Sequence, residues 1–292
     1  MIYDIKHVTT YSYASQVSFA RCALRLKPLQ GKGQSLQSHL VDIRPKPAER
    51  TLRTDFFDIL IETVVIDVPH RVLKIDSRSR VSVDRHPPDR DGPSPPWERI
   101  REAAFDAVTF DAVSPVNYVF ASSLTPIQPA ITAYAAKSFA AGRGVLAGAV
   151  ELMQRVYHDF KYDPKATVIS TPLAEVFEKR HGVCQDFAHV MIAGMRGLGL
   201  AAAYVSGYLR TIPPPGQKRL EGADASHAWV AVWCGPDMGW VGLDPTNDIL
   251  VGNDHIELAI GRDFADVSPV DGVIVGSRRQ KLGVAVDVLL VE

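Results

Sequence analysis

HGVCQDFAHVMIAGMRGLGL, residues 181–200, sets a cysteine just behind a glycine and ahead of a long apolar run. Val183, Phe187, Val190, Met191, Met195 and Leu198 recur at helical spacing, which predicts a helix with a wide buried face. Upstream, TPLAEVFEKRHG (171–182) reads as a shorter helix, with Thr171 as N-cap, Pro172 in the first helical position and Gly182 as the stop. Cys184 therefore falls at or near a helix start. There the chain presents N–H groups without helical acceptors and the positive end of the macrodipole. A thiolate is stabilised in such a place, and an oxyanion beside it would find donors, including the Cys184 backbone N–H. From these residues a nucleophile, a metal ligand and a buried apolar thiol all stand open, the last being the commonest fate of a lone cysteine.

A nucleophile needs a base, and the base needs an orienting group. SHAWVAVWCGPDMGWVGLDPT (226–246) supplies both on two strand-like runs. If residues 234–237 form a four-residue hairpin loop, Trp233 pairs with Met238, Ala231 with Trp240 and Trp229 with Gly242. His227 then lies directly opposite Asp244, at a Cβ separation of about 4.5–5.5 Å that lets a carboxylate hold an imidazole. Taken singly, a histidine at a strand end is more often surface or satisfied core, and an aspartate before proline more often a turn former. Their pairing in one hairpin, downstream of a helix-start cysteine, favours a Cys-His-Asp site.

The other polar residues near Cys184 are read more modestly. Asp186 falls in the first helical turn, where a carboxylate complements the dipole and bonds free N–H groups, so it is expected to support the site structurally. His189 is rotated away from Cys184, and His181 lies outside the helix. His158 and Tyr162, in VYHDFKYDP, either line the approach or simply end a helix. A zinc site from Cys184, His189, His227 and Cys234 is the competing reading. It is disfavoured because the chain has no CxxC or HxxxH spacing among them.

Around this centre the 292-residue chain divides in two. IYDIKHVTTYSY, HLVDIRP, DFFDILIETVVIDV and HRVLKIDSRSRVSV predict a β-sandwich over residues 1–85. HPPDRDGPSPPW (86–97), with five prolines, reads as a linker. Residues 98–292 run helices first and then strands, an α+β order. Lys+Arg (32) nearly balances Asp+Glu (33), so no global field recruits nucleic acid or an anionic membrane. The start of the chain carries no signal-like apolar stretch, and no run approaches the ~18 residues of a membrane span. Three widely spaced cysteines are not a disulfide framework. The expectation is a cytoplasmic protein with no nucleic-acid or membrane partner.

Four blocks, RHGVCQDFAHVMIAGMRGLGL, AAYVSGYL, ADASHAWVAVW and GWVGLDPTND, closely resemble in order and spacing the core of the bacterial transglutaminase-like proteins. The resemblance covers roughly residues 150–270, and YDIKHVTTYSYASQV with LRLKP resembles the β-rich region that precedes that core in many members. It implies a papain-like fold, with a helix-borne cysteine packed on an antiparallel sheet. By matching motifs it assigns Cys184 as nucleophile, His227 as general base and then acid, and Asp244 as orienter. The implied chemistry is attack on an amide carbonyl of a peptide or protein substrate, a thioester, then transfer to an amine or to water, with no cofactor and no metal. The tryptophan that supplies the second oxyanion donor in animal members has no counterpart between Trp97 and Cys184, which leaves Tyr162 or Gln185 for that task. The alternative is a binding or scaffold protein that keeps the fold without turnover. The loop TIPPPGQKRLEGADA (211–225) is expected to border the cleft and carry specificity, an ordinary exposed loop being the competing reading.

Overall fold

In the computed structural model all residues are described except 32, 107, 108, 110, 212–224 and 292. Strands β1 (Ile2–Val17), β2 (Phe19–Leu24), β3 (Gln34–Arg44), β4 (Glu49–Thr54), β5 (Leu60–Ile66) and β6 (His70–Val83) open the chain. Helices α1 (Trp97–Phe105), α2 (Pro129–Ala136) and α3 (Val145–Asp159) follow, then the short strand β7 (Lys161–Tyr162), α4 (Leu173–Lys179), β8 (His181–Gly182) and α5 (Cys184–Gly197). Next come β9 (Ala202–Leu209), β10 (Ala225–Trp233), β11 (Trp240–Asp244), β12 (Ile249–Leu250) and β13 (His255–Gly261). The chain ends with α6 (Phe264–Val267), β14 (Val270–Val275) and β15 (Gln280–Leu290).

Two four-stranded sheets, ordered β15-β1-β6-β3 and β14-β2-β5-β4, form the first unit. Val17, Ala20, Leu24, Ile43, Val64, Ile66, Leu73 and Ile75 fill the space between them, as the alternation of the strands requires. This is a β-sandwich, but residues 1–85 do not complete it. β15 pairs along β1 from Tyr3↔Leu290 to Tyr13↔Gln280, and β14 pairs with β2. The expected boundary, which gave residues 98–292 to the second unit, is thus corrected for the last two strands. Without them β1 and β2 would each expose an unpaired edge.

The second unit packs helices on a five-stranded antiparallel sheet ordered β12-β11-β10-β9-β13, the papain-like arrangement. Phe187, Val190 and Met191 of α5 join Ala228, Val230 and Val232 of β10 in its core. The other face of the sheet buries Ala203, Val205 and Trp229 beneath Ala104 and Tyr118. The proline-rich connection is fastened to this unit: Ser94 Oγ accepts the Leu146 N–H at the start of α3, and Arg90 pairs with Asp248 at 2.5 Å. Trp97, read as the end of that connection, opens α1 instead.

Helix α5 is buried on every side from Asp186 to Arg196, not on one wide face alone. Arg196 is buried, and its guanidinium donates to the carbonyls of Tyr118, Ala202 and Arg262 and to the hydroxyls of Ser122 and Thr125. It ties the end of α5 to the segment between α1 and α2. No helix among the described residues is long and apolar enough to cross a membrane.

Candidate active site

Cys184 is the first residue of α5 and is partly buried. Val183 precedes it in extended backbone, so the chain enters the helix abruptly. The Val183 N–H donates to Asp186 Oδ2 at 2.8 Å, and the Thr167 hydroxyl donates to the same oxygen at 2.6 Å. Asp186 thus satisfies an otherwise orphaned donor of the first turn and pins the preceding loop to it. Burial pushes its carboxyl above the ordinary range, against these two hydrogen bonds.

The stop before Cys184 differs from the one expected. Helix α4 has Pro172 as N-cap and ends at Arg180, which takes the left-handed conformation (φ 57°), so Thr171 and Gly182 are not its caps. Gly182 instead pairs with Tyr162 in a short parallel bridge. A Cβ there would stand 2.5 Å from Asp186 Oδ2, so glycine is needed for close approach.

His227 and Asp244 meet as expected, but by a different register. The ladder pairs Val230 with Leu243, Ala231 with Gly242 and Trp233 with Trp240, across a connection of six residues (234–239). This corrects the four-residue loop. The register is shifted by two residues, which keeps every side chain on its face, whereas a shift by one would have separated the pair. His227 Nε2 stands 2.8 Å from Asp244 Oδ2.

Asp244 is fully buried and is also a turn former, since the Asn247 N–H closes back on its carbonyl at 3.3 Å. The two roles weighed against each other coexist in one residue. Its Oδ1 accepts the Thr246 N–H at 2.9 Å. Its Oδ2 accepts Asn247 Nδ2 at 2.7 Å and faces His255 Nε2 at 3.3 Å. Burial alone would raise this carboxyl; hydrogen bonds from His227, His255 and Asn247 hold it well below the usual carboxylate range. At His227 burial opposes the cation, but the hydrogen bonds and charges of Asp244 and Cys184 outweigh it and push the imidazole up to about 10. Both partners favour the imidazolium at neutral pH, set between the Asp244 carboxylate and the Cys184 sulfur.

Asn247 and His255 escaped the sequence reading. Asn247 had a signal, an amide three residues beyond Asp244 in a proline turn, while His255 lies at the start of a strand far from both motifs.

Tyr162 stands half-exposed near Cys184, and burial, with the neighbouring Cys184 sulfur, raises its phenol. Gln185 is partly buried on the first turn of α5. His189 points away, as expected: its Nε2 accepts the Phe264 N–H at 3.3 Å, and burial lowers it to about 4. His158 is exposed at the end of α3. The four residues of the zinc reading are not brought together. Cys234 is buried beyond the far end of β10, its thiol pushed up to about 12, and no metal-holding group occurs among the described residues. The loop 211–225 lies almost wholly outside the described residues.

A helix-borne cysteine on an antiparallel sheet that carries the histidine and aspartate defines the papain-like class. Residues 3–82 match the bacterial transglutaminase-like N-terminal region, and residues 132–245 match the transglutaminase-like superfamily. An uncharacterized protein of Mycobacterium tuberculosis is 40% identical over 296 residues, covering 98% of this chain and 92% of that protein. One of Mycobacterium leprae is 28% identical over 291 residues, covering 97% of each. Among solved structures, a candidate cysteine protease from Cytophaga hutchinsonii aligns at a TM-score of 0.75 and 18% identity, covering 100% of this chain and 92% of that one. The chain belongs to the transglutaminase-like superfamily and carries its bacterial N-terminal region.

Proposed function

We propose that the protein is a cysteine-dependent acyltransferase or hydrolase acting on peptide or isopeptide amides through a thioester acyl-enzyme. The observation that carries this reading is His227, hydrogen-bonded both to the buried Asp244 and to the helix-start Cys184. An imidazolium beside the sulfur and the positive end of α5 both favour a thiolate.

Because Nε2 of His227 is engaged by Asp244, Nδ1 is the nitrogen left for proton transfer. The Cys184 sulfur attacks the carbonyl carbon, and the C=O electron pair moves to oxygen. As the intermediate collapses, the C–N bond breaks and His227 Nδ1 gives its proton to the departing amine, leaving a thioester. Neutral His227 then takes a proton from water or an incoming amine, which attacks the thioester carbonyl and expels the Cys184 thiolate. The Cys184 backbone N–H opens the helix and has no acceptor within it, so it suits the oxyanion; the Tyr162 hydroxyl and Gln185 amide are the proposed second donors.

The test is mass spectrometry of the protein after incubation with a peptide library. An adduct on Cys184 that is absent from Cys184→Ala supports the reading. No adduct across amide and ester libraries, with Cys184 alkylated no faster than Cys22, overturns it and favours a binding protein.

A further inference from the structure

We propose that His255 is a positioning residue for the Asp244 carboxylate, and that the N-terminal sandwich holds His255 in place. The inference rests on the reading of Asp244 as the orienter of His227.

His255 opens β13 and is buried. Its Nδ1 accepts the Gly252 N–H at 3.4 Å, which puts the ring proton on Nε2, aimed at Asp244 Oδ2 3.3 Å away. The ring stands edge-on to Trp229 at 5.1 Å between centroids, which leaves it little freedom to turn. Asp244 needs such a brace because His227 is reached on the diagonal of the ladder, where neighbours are ordinarily about 7–8 Å apart and their Cβ atoms somewhat less. Thr246 and Asn247 brace it from its own turn. Apart from His227, His255 is the one donor that reaches it from another strand among the described residues.

The backbone around His255 is gripped from the first ninety residues. The Arg85 guanidinium donates to the His255 carbonyl and pairs with Glu257 at 3.2 Å, while the Arg85 N–H donates to Asn253 Oδ1 at 2.7 Å. The Tyr3 hydroxyl donates to Asp254 Oδ1 at 3.0 Å. The buried Gln34 amide accepts the Glu257 N–H at 2.8 Å and donates to the Glu257 carbonyl at 2.9 Å, as a neighbouring strand would. The sandwich therefore sets the height of His255 against Asp244.

The titratable groups against His227, among the described residues, are Cys184 from α5, Asp244 from β11 and His255 from β13. His255→Phe keeps an aromatic ring and removes the donor; His255→Gln keeps an N–H. Each is compared with native protein by Cys184 alkylation at pH 7, by NMR titration of the His227 imidazole and by melting temperature. The expected result is that His255→Phe slows alkylation about tenfold, the lower end of what a hydrogen bond to a charged group is worth, and lowers the His227 titration. His255→Gln restores most of both, whatever the two melting temperatures do. Native behaviour in both variants overturns the proposal. So does a loss in both that follows melting temperature alone, or a rise of the His227 titration in His255→Phe. If Cys184 proves no more reactive than Cys22 in native protein, the acyl-transfer reading falls, while the His227 titration still decides the role of His255.

Discussion

His227 and Asp244 touch at 2.8 Å although the β10–β11 register, carried one pair beyond Val230↔Leu243, sets Asp244 against Trp229. The contact is a diagonal one, made possible because a displacement of two residues preserves the face. A diagonal contact depends on the direction of the carboxylate more than a direct one does. Asp244→Asn keeps the shape but removes the negative charge, so the imidazolium loses its counter-charge and is left with at most an amide oxygen in place of the carboxylate. Alkylation of Cys184 by iodoacetamide at pH 7 is expected to slow by at least about a hundredfold, a smaller effect than the roughly 10⁴ seen in turnover for the equivalent change in serine triads. Peptide-resolved mass spectrometry reads the rate. A native rate in Asp244→Asn would remove Asp244 from the site.

Alkylation in native protein should also be selective. Cys22 and Cys234 are buried, and their thiols are pushed up to about 11 and about 12, the first by burial and Asp271, the second by burial. Cys184 alone is partly open. Labelling at pH 7 is expected on Cys184 first, with the other two reacting only after denaturation. His227→Ala should slow it markedly. Equal labelling of all three in folded protein would contradict this.

Much of this site was legible in the chain, and the exceptions have physical causes. Helix α5 was readable because its apolar residues repeat with a helical period, and the hairpin because Gly235 and Pro236 mark a connection between two β-rich runs. The loop length was not, since one turn signal does not say whether four or six residues separate the strands. Strands β14 and β15 were placed in the wrong unit because their partners, β1 and β2, lie some 250 or more residues upstream and leave no local mark. The burial of Arg196 leaves no mark in the chain, because hydrogen bonds to distant carbonyls have no sequence pattern. His255 was silent for the same reason.

Arg196 gives a test of that hidden network. Burial lowers its guanidinium to about 10, yet among the described residues it donates to carbonyls and hydroxyls and to no carboxylate. Arg196→Met would leave the Tyr118, Ala202 and Arg262 carbonyls without this donor, at about 1–3 kcal/mol for each acceptor left unmet. A loss of several kcal/mol in urea unfolding is expected, with Arg196→Lys intermediate. A Met variant as stable as native protein would mean that desolvating the guanidinium costs as much as its hydrogen bonds return.

Stability should peak between acid and alkaline limbs of different origin. His7 and His189 are held neutral by burial, each lowered to about 4, against about 6.5 in the unfolded chain. Their contribution is present above pH 6.5 and is lost as pH falls toward 4, by up to about 1.4 kcal/mol per pH unit for each group. Burial opposes the His227 cation, but Asp244 and Cys184 outweigh it and raise the imidazole to about 10. Its contribution is complete below pH 6.5 and is lost as pH rises toward 10. Melting temperature is therefore expected to be highest near pH 6.5, and Asp244→Asn should flatten the alkaline side. A melting temperature independent of pH from 4 to 6.5 would contradict the assignment for His7 and His189.

Gly182 and Asp186 should behave as one unit. A methyl group on residue 182 would lie 2.5 Å from Asp186 Oδ2, 2.8 Å from its Cβ and 2.9 Å from its Cγ, so Gly182→Ala must displace the side chain whose carboxylate accepts from Val183 and Thr167. Asp186→Ala removes the same two hydrogen bonds directly, at roughly 1–2 kcal/mol for a lost cap. In the double variant those two hydrogen bonds are lost only once, although the Cβ of residue 186 still crowds the added methyl group. The double variant should then lose less stability than the two single losses together, by roughly 0.5–1 kcal/mol or more. Full additivity in urea unfolding would mean that the glycine is required for some other reason. Limited proteolysis gives an independent reading, because the Thr167–Asp186 bond holds the loop at 163–171. Both single variants should be cleaved faster there than native protein, and Thr167→Val should share that sensitivity while leaving the Val183 bond, and most of the stability, in place.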